Sequence, residues 1–210
     1  MTPPTPAAVR VAELPFHLVE EINHRVVNEY AEAICSLSLA ARSVVANDTR
    51  SALNRAADRL RAYAEIHRAL MPPADGRVDL ADYTDRLCSA ISRASLAPRQ
   101  IHLTVHAEEI WLSSARAWRI GLAIAELVRN AARHGLAGQS GAIAVSLAER
   151  DGEILCGVGD NGSSAAECQP GRGVGLVRAL AAELGGSADW RFAADGCLAR
   201  LHVPLEAREP

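Results

Sequence analysis

The 210-residue sequence predicts an α+β protein: an N-terminal antiparallel helical hairpin followed by a helix-and-sheet sandwich. Three observations carry this. From Leu18 to Leu70 apolar residues recur every three or four positions, the spacing of one helix face. After residue 100 the period falls to two, as in "IHLTV" (101–105). A glycine-rich stretch, "PGRGVG" (170–175), then leads into a helix that lies between strands.

Residues 1–14 hold three prolines and predict a disordered tail. From 15 the stripe Leu18, Ile22, Val26, Tyr30, Ala33, Leu37, Ala40 and Val44 marks the first helix. "ANDTR" (46–50) breaks it and offers Asn47, Asp48 and Thr49 as caps for a second helix, which carries Leu53, Ala56, Leu60, Tyr63, Ile66 and Leu70. "MPPADG" (71–76) ends that helix, closing a unit at 15–73. One hairpin cannot cover both of its stripes. The expectation is a four-helix bundle formed by two chains, a homodimer through residues 16–71.

A second unit runs over 78–206. "VDLADYTDRLCSAIS" (78–92) reads as a helix, "IHLTV" as a strand and "EIWL" (109–112) as a short one, before a long helix at 115–134. "AIAVSLAE" (142–149) and "EILCGVGD" (153–160) form a hairpin around Arg150, Asp151 and Gly152. A helix near 174–185 and a closing hairpin, 186–192 with 197–203, complete a mostly antiparallel sheet.

The formal charge of −3 argues against a binder that works by neutralising nucleic-acid phosphates. The five cysteines are odd in number and show no CxxC spacing. That argues against a disulfide scaffold or zinc site and fits a reducing cytoplasm. No apolar run reaches the ~18 residues of a membrane span, and the start lacks a signal peptide's basic and apolar regions.

Three places can carry chemistry. On the helix 115–134, Glu126 and Asn130 sit one turn apart, off the buried stripe, with Arg133 and His134 continuing the polar side. Oxygen ligands suit Mg²⁺ and basic groups suit phosphate; an ordinary solvated face has the same composition. In "GVGDNGSS" (157–164), Asp160 ends an apolar strand where it could accept from a buried donor, and Gly162 lets a ligand approach the backbone; Asn161-Gly162 also reads as a turn. Gly171, Gly173 and Gly175 expose backbone N–H groups at a helix mouth, which attracts phosphate. Neither a Rossmann fingerprint, a P-loop nor a protein-kinase motif set is present.

Taken in order, ExxxN on a helix, DxG at a strand end and GxGxG at a helix start resemble the GHKL-type ATP-binding domain. Histidine kinases, type II topoisomerases, a heat-shock chaperone and a mismatch-repair protein share it. The resemblance implies ATP and Mg²⁺ as cofactors, with Asn130 on Mg²⁺, Asp160 receiving the adenine amine and Gly162 shaping the adenine pocket. It also puts Gly171, Gly173 and Gly175 at the lid and phosphates, and Arg133, His134 and Glu126 beside the nucleotide.

"HRVVNEYAEAICSLSLAARSV" resembles the HRxxN histidine box of the second class of bacterial histidine-kinase dimerisation domains. "RAYAEIHRALM", "VDLADYTDRLC" and "IGLAIAELVRNAARHG" continue the likeness, so that it covers residues 16–204. At ~100° per residue, His24 falls opposite the stripe centred on Val26 and Ala33, flanked by Glu20, Glu21 and Asn28. A neighbouring carboxylate can take or orient one ring proton and leave the other nitrogen nucleophilic. The implied function is an ATP-dependent histidine kinase that phosphorylates His24, with Glu21 or Glu20 as proton acceptor. The phosphoryl group would pass to an aspartate of a response-regulator receiver domain.

The sequence departs from the family pattern in four ways. Arg25 stands where an acidic residue often follows the histidine, Ser164 breaks DxGxG, the segment from Asp160 to Gly171 is short, and the WxE element of the HWE kinases is absent near Asp160. The lost glycine at 164 keeps open a histidine phosphotransferase that shuttles phosphate between receiver domains without ATP, against which Asn130, Asp160 and the glycines are retained. An interaction module with the same ATP fold ranks last, since such modules normally lack the histidine hairpin.

Overall fold

The computed structural model describes residues 16–71, 76–162 and 172–205, the side chains of 16–20, Asn23 and Arg172 excepted. Expectations for the tail at 1–14, Ser164, Gly171 and the Glu20 side chain fall outside these residues.

The chain opens with the expected hairpin, α1 (Phe16–Ser43) and α2 (Asn47–Ala69), joined through Val44–Ala46. The capping expectation is corrected. Ala46 holds the cap position of α2 with no side-chain hydrogen bond, and Asn47, Asp48 and Thr49 already lie in the helix. Alanine has no side-chain acceptor to offer the first N–H groups of α2. Arg50 Nη2 instead donates to the Val44 carbonyl at 2.7 Å.

Beyond the hairpin, β1 (Arg77–Asp79) pairs antiparallel with β3 (Trp111–Ser113), Val78 opposite Leu112. The sequence reading placed 78 and 79 in a helix and a strand at 109–112. The helix α3 (Leu80–Ile91) starts later because Asp79 is its N-cap, accepting from the Ala81 N–H at 3.0 Å.

The main sheet has the order β2-β4-β5-β7-β6. It comprises β2 (Ile101–Ala107), β4 (Gly141–Arg150), β5 (Glu153–Asp160), β6 (Ser187–Ala193) and β7 (Gly196–Pro204). Three joints are antiparallel; β2 pairs parallel to β4, because the connection between them crosses over through the long helix α4 (Ser114–Asn130).

One sheet face carries the core. Ile143, Val145 and Leu147 on β4, Ile154, Cys156 and Val158 on β5, and Leu201 and Val203 on β7 are buried there. They meet Leu87 on α3, Ile120, Ile124 and Val128 on α4, and Val177 and Ala181 on α5 (Arg172–Glu183). Each large aliphatic side chain so placed contributes about 1.5–3 kcal/mol. Where α3 crosses α4, a Cβ on Gly121 would come 2.4 Å from the Tyr83 ring, so only glycine allows that approach.

The end of α2 docks on this core. Ile66, Ala69 and Leu70 pack against it, and Trp118 Nε1 donates to the Leu70 carbonyl at 2.9 Å. The hairpin itself is thinly buried. Among its described residues only Ala41, Ala57 and Ala64 are fully covered, while Ile22 is 47% and Leu39 65% exposed. Val26, Leu37, Leu53 and Leu60 are half-buried.

Candidate functional site

Asn130 is the last residue of α4, and Glu126 lies one turn before it. The helix then widens into a single π turn, Ala131–Gly135, whose buried Ala131 and Ala132 hold it to the core while Arg133 and His134 face out. Arg99 Nη2 braces that turn from outside, donating to the Ala132 carbonyl at 3.2 Å. The turn delivers Gly135 against the end of β5.

Asp160 closes β5 between Ile143 of β4 and Cys197 of β7. Its carboxylate accepts from the Gly162 N–H at 3.0 Å and from a backbone donor at Cys197. Burial pushes its carboxyl above the usual carboxylate range, and those two hydrogen bonds offset part of the rise. Three glycines make the space. A Cβ on Gly135 would lie 2.3 Å from Asp160 Oδ2, one on Gly162 1.9 Å from the Gly135 carbonyl oxygen, and one on Gly196 1.9 Å from the Asp160 carbonyl oxygen. Asn161 is not a hairpin turn residue; its Oδ1 accepts from the Ala142 N–H at 2.8 Å and extends the β4–β5 ladder.

The first turn of α5 lies over the end of α4. A Cβ on Gly173 would fall 2.0 Å from Glu126 Oε1 and 3.1 Å from Asn130 Nδ2. Asn130 Nδ2 is buried and has no hydrogen-bond partner among the described residues, an amide donor held out of water. Helix α5 begins at Arg172, so Gly173 and Gly175 belong to its first turn rather than to a loop ahead of it. A Cβ on Gly175 would touch nothing within 4 Å, so space makes no demand for glycine there.

The structure thus groups Glu126, Asn130 and Gly173 at one place, and Asp160 and Gly162 with Gly135 at another, linked by the π turn. His24 stands on the exposed side of α1, in an element that packs against α2. Beside it, Glu21 Oε1 accepts from Arg25 at 2.9 Å. Sequence reasoning missed Gly135 and Gly196. The glycine that directly follows His134, in a segment otherwise rich in helix formers, was the available signal for the first.

A family model described as "Histidine kinase" matches residues 21–95, and one described as "Histidine kinase-like ATPase domain" matches residues 93–190. The chain belongs to the histidine kinase family. Within that family, the sensor histidine kinase PdtaS of Mycobacterium tuberculosis is 30% identical over 200 residues. The match takes in 90% of this chain and 40% of the relative, so the chain spans about two fifths of that protein's length.

Among solved structures, the histidine kinase domain of the Erythrobacter litoralis EL346 blue-light activated kinase superposes with a TM-score of 0.60 at 22% identity, over 83% of this chain and 96% of that one. A bacterial phosphotransferase superposes with a TM-score of 0.61 at 14% identity, over 91% of this chain and 98% of that one. At these identities both likenesses bear on fold alone: a helical hairpin ahead of a GHKL-type sandwich. Among the described residues no helix is long and apolar enough to cross a membrane.

Proposed function

We propose that the chain is the ATP-dependent core of a two-component sensor histidine kinase, with His24 as phosphoacceptor. The observation that supports this most directly is the pairing of a half-buried Asp160 carboxylate with a buried, unpartnered Asn130 amide at the two ends of one π turn. Asp160 offers a charged acceptor to the exocyclic amine of adenine, and Gly162 and Gly135 clear the backbone for a flat ring. In this reading the first turn of α5, where Gly173 lies against Glu126 and Asn130, faces the phosphates.

The residues at the end of α4 also fit a magnesium ion. The Asn130 side chain presents an amide oxygen as well as the orphaned nitrogen, and the Glu126 carboxylate adjoins it. Among the described residues no three His, Cys, Asp or Glu side chains converge on a ready-made metal cage. Asn130, with Glu126 beside it, would therefore hold an Mg²⁺ that keeps waters and phosphate oxygens as its other ligands. When bound, the ion supplies charge neutralisation on the phosphates.

In the transfer, a ring nitrogen of His24 bonds to the γ-phosphorus as the bond to the β–γ bridging oxygen breaks and ADP departs. The imidazole proton goes to a carboxylate beside it, Glu21. The phosphoryl group then passes from His24 to a receiver-domain aspartate. Retention of Asn130, Asp160 and Gly162 favours the kinase over an ATP-independent phosphate shuttle. The proposed units are 15–73 for dimerisation and phosphotransfer and 78–206 for ATP. Among the described residues Cys35, Cys88 and Cys156 carry free thiols, and a cytoplasmic location goes with this reading.

Incubation with γ-labelled ATP and Mg²⁺ tests the reading. Acid-labile label is expected on the wild-type chain and none on His24→Ala; equal label on both would move the acceptor elsewhere.

The thin burial of the hairpin supports a homodimer. The half-covered Val26, Leu37, Leu53 and Leu60 would gain a second layer in a four-helix bundle. Leu37→Asp would place a charge in that layer and is expected to weaken self-association by tenfold or more, on the order of the transfer free energy of one leucine. Sedimentation equilibrium reads this directly, and an unchanged dimer would place the interface elsewhere.

A further inference from the structure

Glu126 is one turn ahead of Asn130 on α4, the spacing at which a carboxylate hydrogen-bonds a side-chain amide on the same helix. Both groups bear on the same point of Gly173, yet Asn130 Nδ2 is buried and unpartnered. A buried amide donor beside a carboxylate acceptor normally closes that bond. Here one oxygen of the carboxylate, Oε2, is held by a third group, while Oε1 is the oxygen that bears on Gly173. Arg129 Nη2 lies 3.1 Å from Glu126 Oε2, with the Glu126 side chain only 12% exposed and the Arg129 side chain 67% exposed.

The Arg129 charge also reaches the hairpin. Burial chiefly, and the Arg129 charge second, hold the His67 imidazole below its usual range, so Arg129 lies within electrostatic reach of α2. His67 in turn contacts Tyr30 of α1, with ring centroids 5.3 Å apart.

We infer that Arg129 is a positioning residue of the nucleotide site: by holding Oε2 it fixes Glu126 in a rotamer that leaves Asn130 Nδ2 unbonded, and so keeps the Asn130 side chain open for Mg–nucleotide. Without it, Glu126 would turn to Asn130 and the two would satisfy each other, closing the site from within. Arg129 itself touches no ligand in this scheme. It acts through Glu126, from a helix face on which the sequence offered no reason to choose it.

The inference rests on the ATP reading of the site, and the experiment separates the two. Titrate the full chain with a fluorescent ATP analogue and Mg²⁺. Arg129→Ala is expected to weaken binding roughly fivefold, the upper end for a largely exposed ion pair, and Arg129→Lys to recover most of it. In a Glu126→Ala background, removing Arg129 should have no further effect, because nothing is left to hold back. In the ligand-free protein, the Asn130 side-chain amide protons should shift in Arg129→Ala and not in Arg129→Lys, a change that general loss of packing would not confine to one amide. Wild-type affinity in Arg129→Ala, or an equal loss in both Glu126 backgrounds, overturns the role of Arg129 while the ATP reading stands. No binding by the wild-type chain overturns the ATP reading and the inference with it.

Discussion

Asp160→Asn is expected to weaken nucleotide binding by about 10- to 100-fold while leaving the fold intact. A hydrogen bond to a charged group contributes about 1.5–3 kcal/mol where a neutral one contributes half as much or less, and 1.4 kcal/mol is tenfold in affinity. The carboxylate is acceptor-only and already receives the Gly162 N–H at 3.0 Å on Oδ1. An asparagine could keep that bond through its oxygen, but it would then aim its own amide donors at the adenine amine, so a donor would face a donor. The stability effect has the opposite sign. Burial raises the folded pKa of Asp160 above its ordinary value, so ionisation costs the ligand-free protein stability. That cost is absent below the ordinary carboxylate pKa and fully present above the raised one. The asparagine variant should therefore melt no lower than wild type at neutral pH, and any advantage should vanish on acidification. Isothermal titration with ATP–Mg²⁺ and thermal melts across pH check both parts. Unchanged affinity would remove Asp160 from the site.

The sequence carried the period of each long element, and those elements are where it was informative. Stripes such as Ile120, Ile124 and Val128 are written at helical spacing, and Ile143, Val145 and Leu147 at strand spacing, because each faces one core. Pieces without a period escaped. Strand β1 is three residues long and runs directly into the cap of α3, so nothing separates it from the helix. The π turns at 92–96 and 131–135 continue the burial pattern of the helices before them, with Leu96, Ala131 and Ala132 still inside. The candidate site divides in the same way. Asn130, Asp160 and Gly162 were legible through their order and spacing. Gly135 and Gly196 matter only because β5 brings Asp160 against residues distant in the chain, and no local pattern encodes that contact. Arg129 was hidden for a related reason: its partner Glu126 is local, but its relevance depends on α5 folding over both.

Glu21→Gln is expected to slow the first phosphorylation of His24 by about 100-fold, the lower end for general-base assistance from a solvated group, with nucleotide affinity unchanged. Glu21 is three residues before His24 and shares its exposed helix face. Arg25, where an acidic residue often stands in the family, competes for the same carboxylate: its Nη2 lies 2.9 Å from Glu21 Oε1, with side chains 72% and 64% exposed. So exposed a pair contributes at most about 1 kcal/mol and opens readily, and only one carboxylate oxygen is engaged. The other can take the imidazole proton while Arg25 stays in place, and the guanidinium then keeps the side chain turned along the helix. Arg25→Ala should therefore change the rate far less than Glu21→Gln. Added salt, which screens exposed pairs, should move the wild type toward the Arg25→Ala value. Single-turnover labelling at saturating ATP–Mg²⁺ isolates the chemical step from binding. If Glu21→Gln transfers as fast as wild type, the proton leaves His24 by another route, and Arg25 is then a substitution that removed the usual base without replacing it.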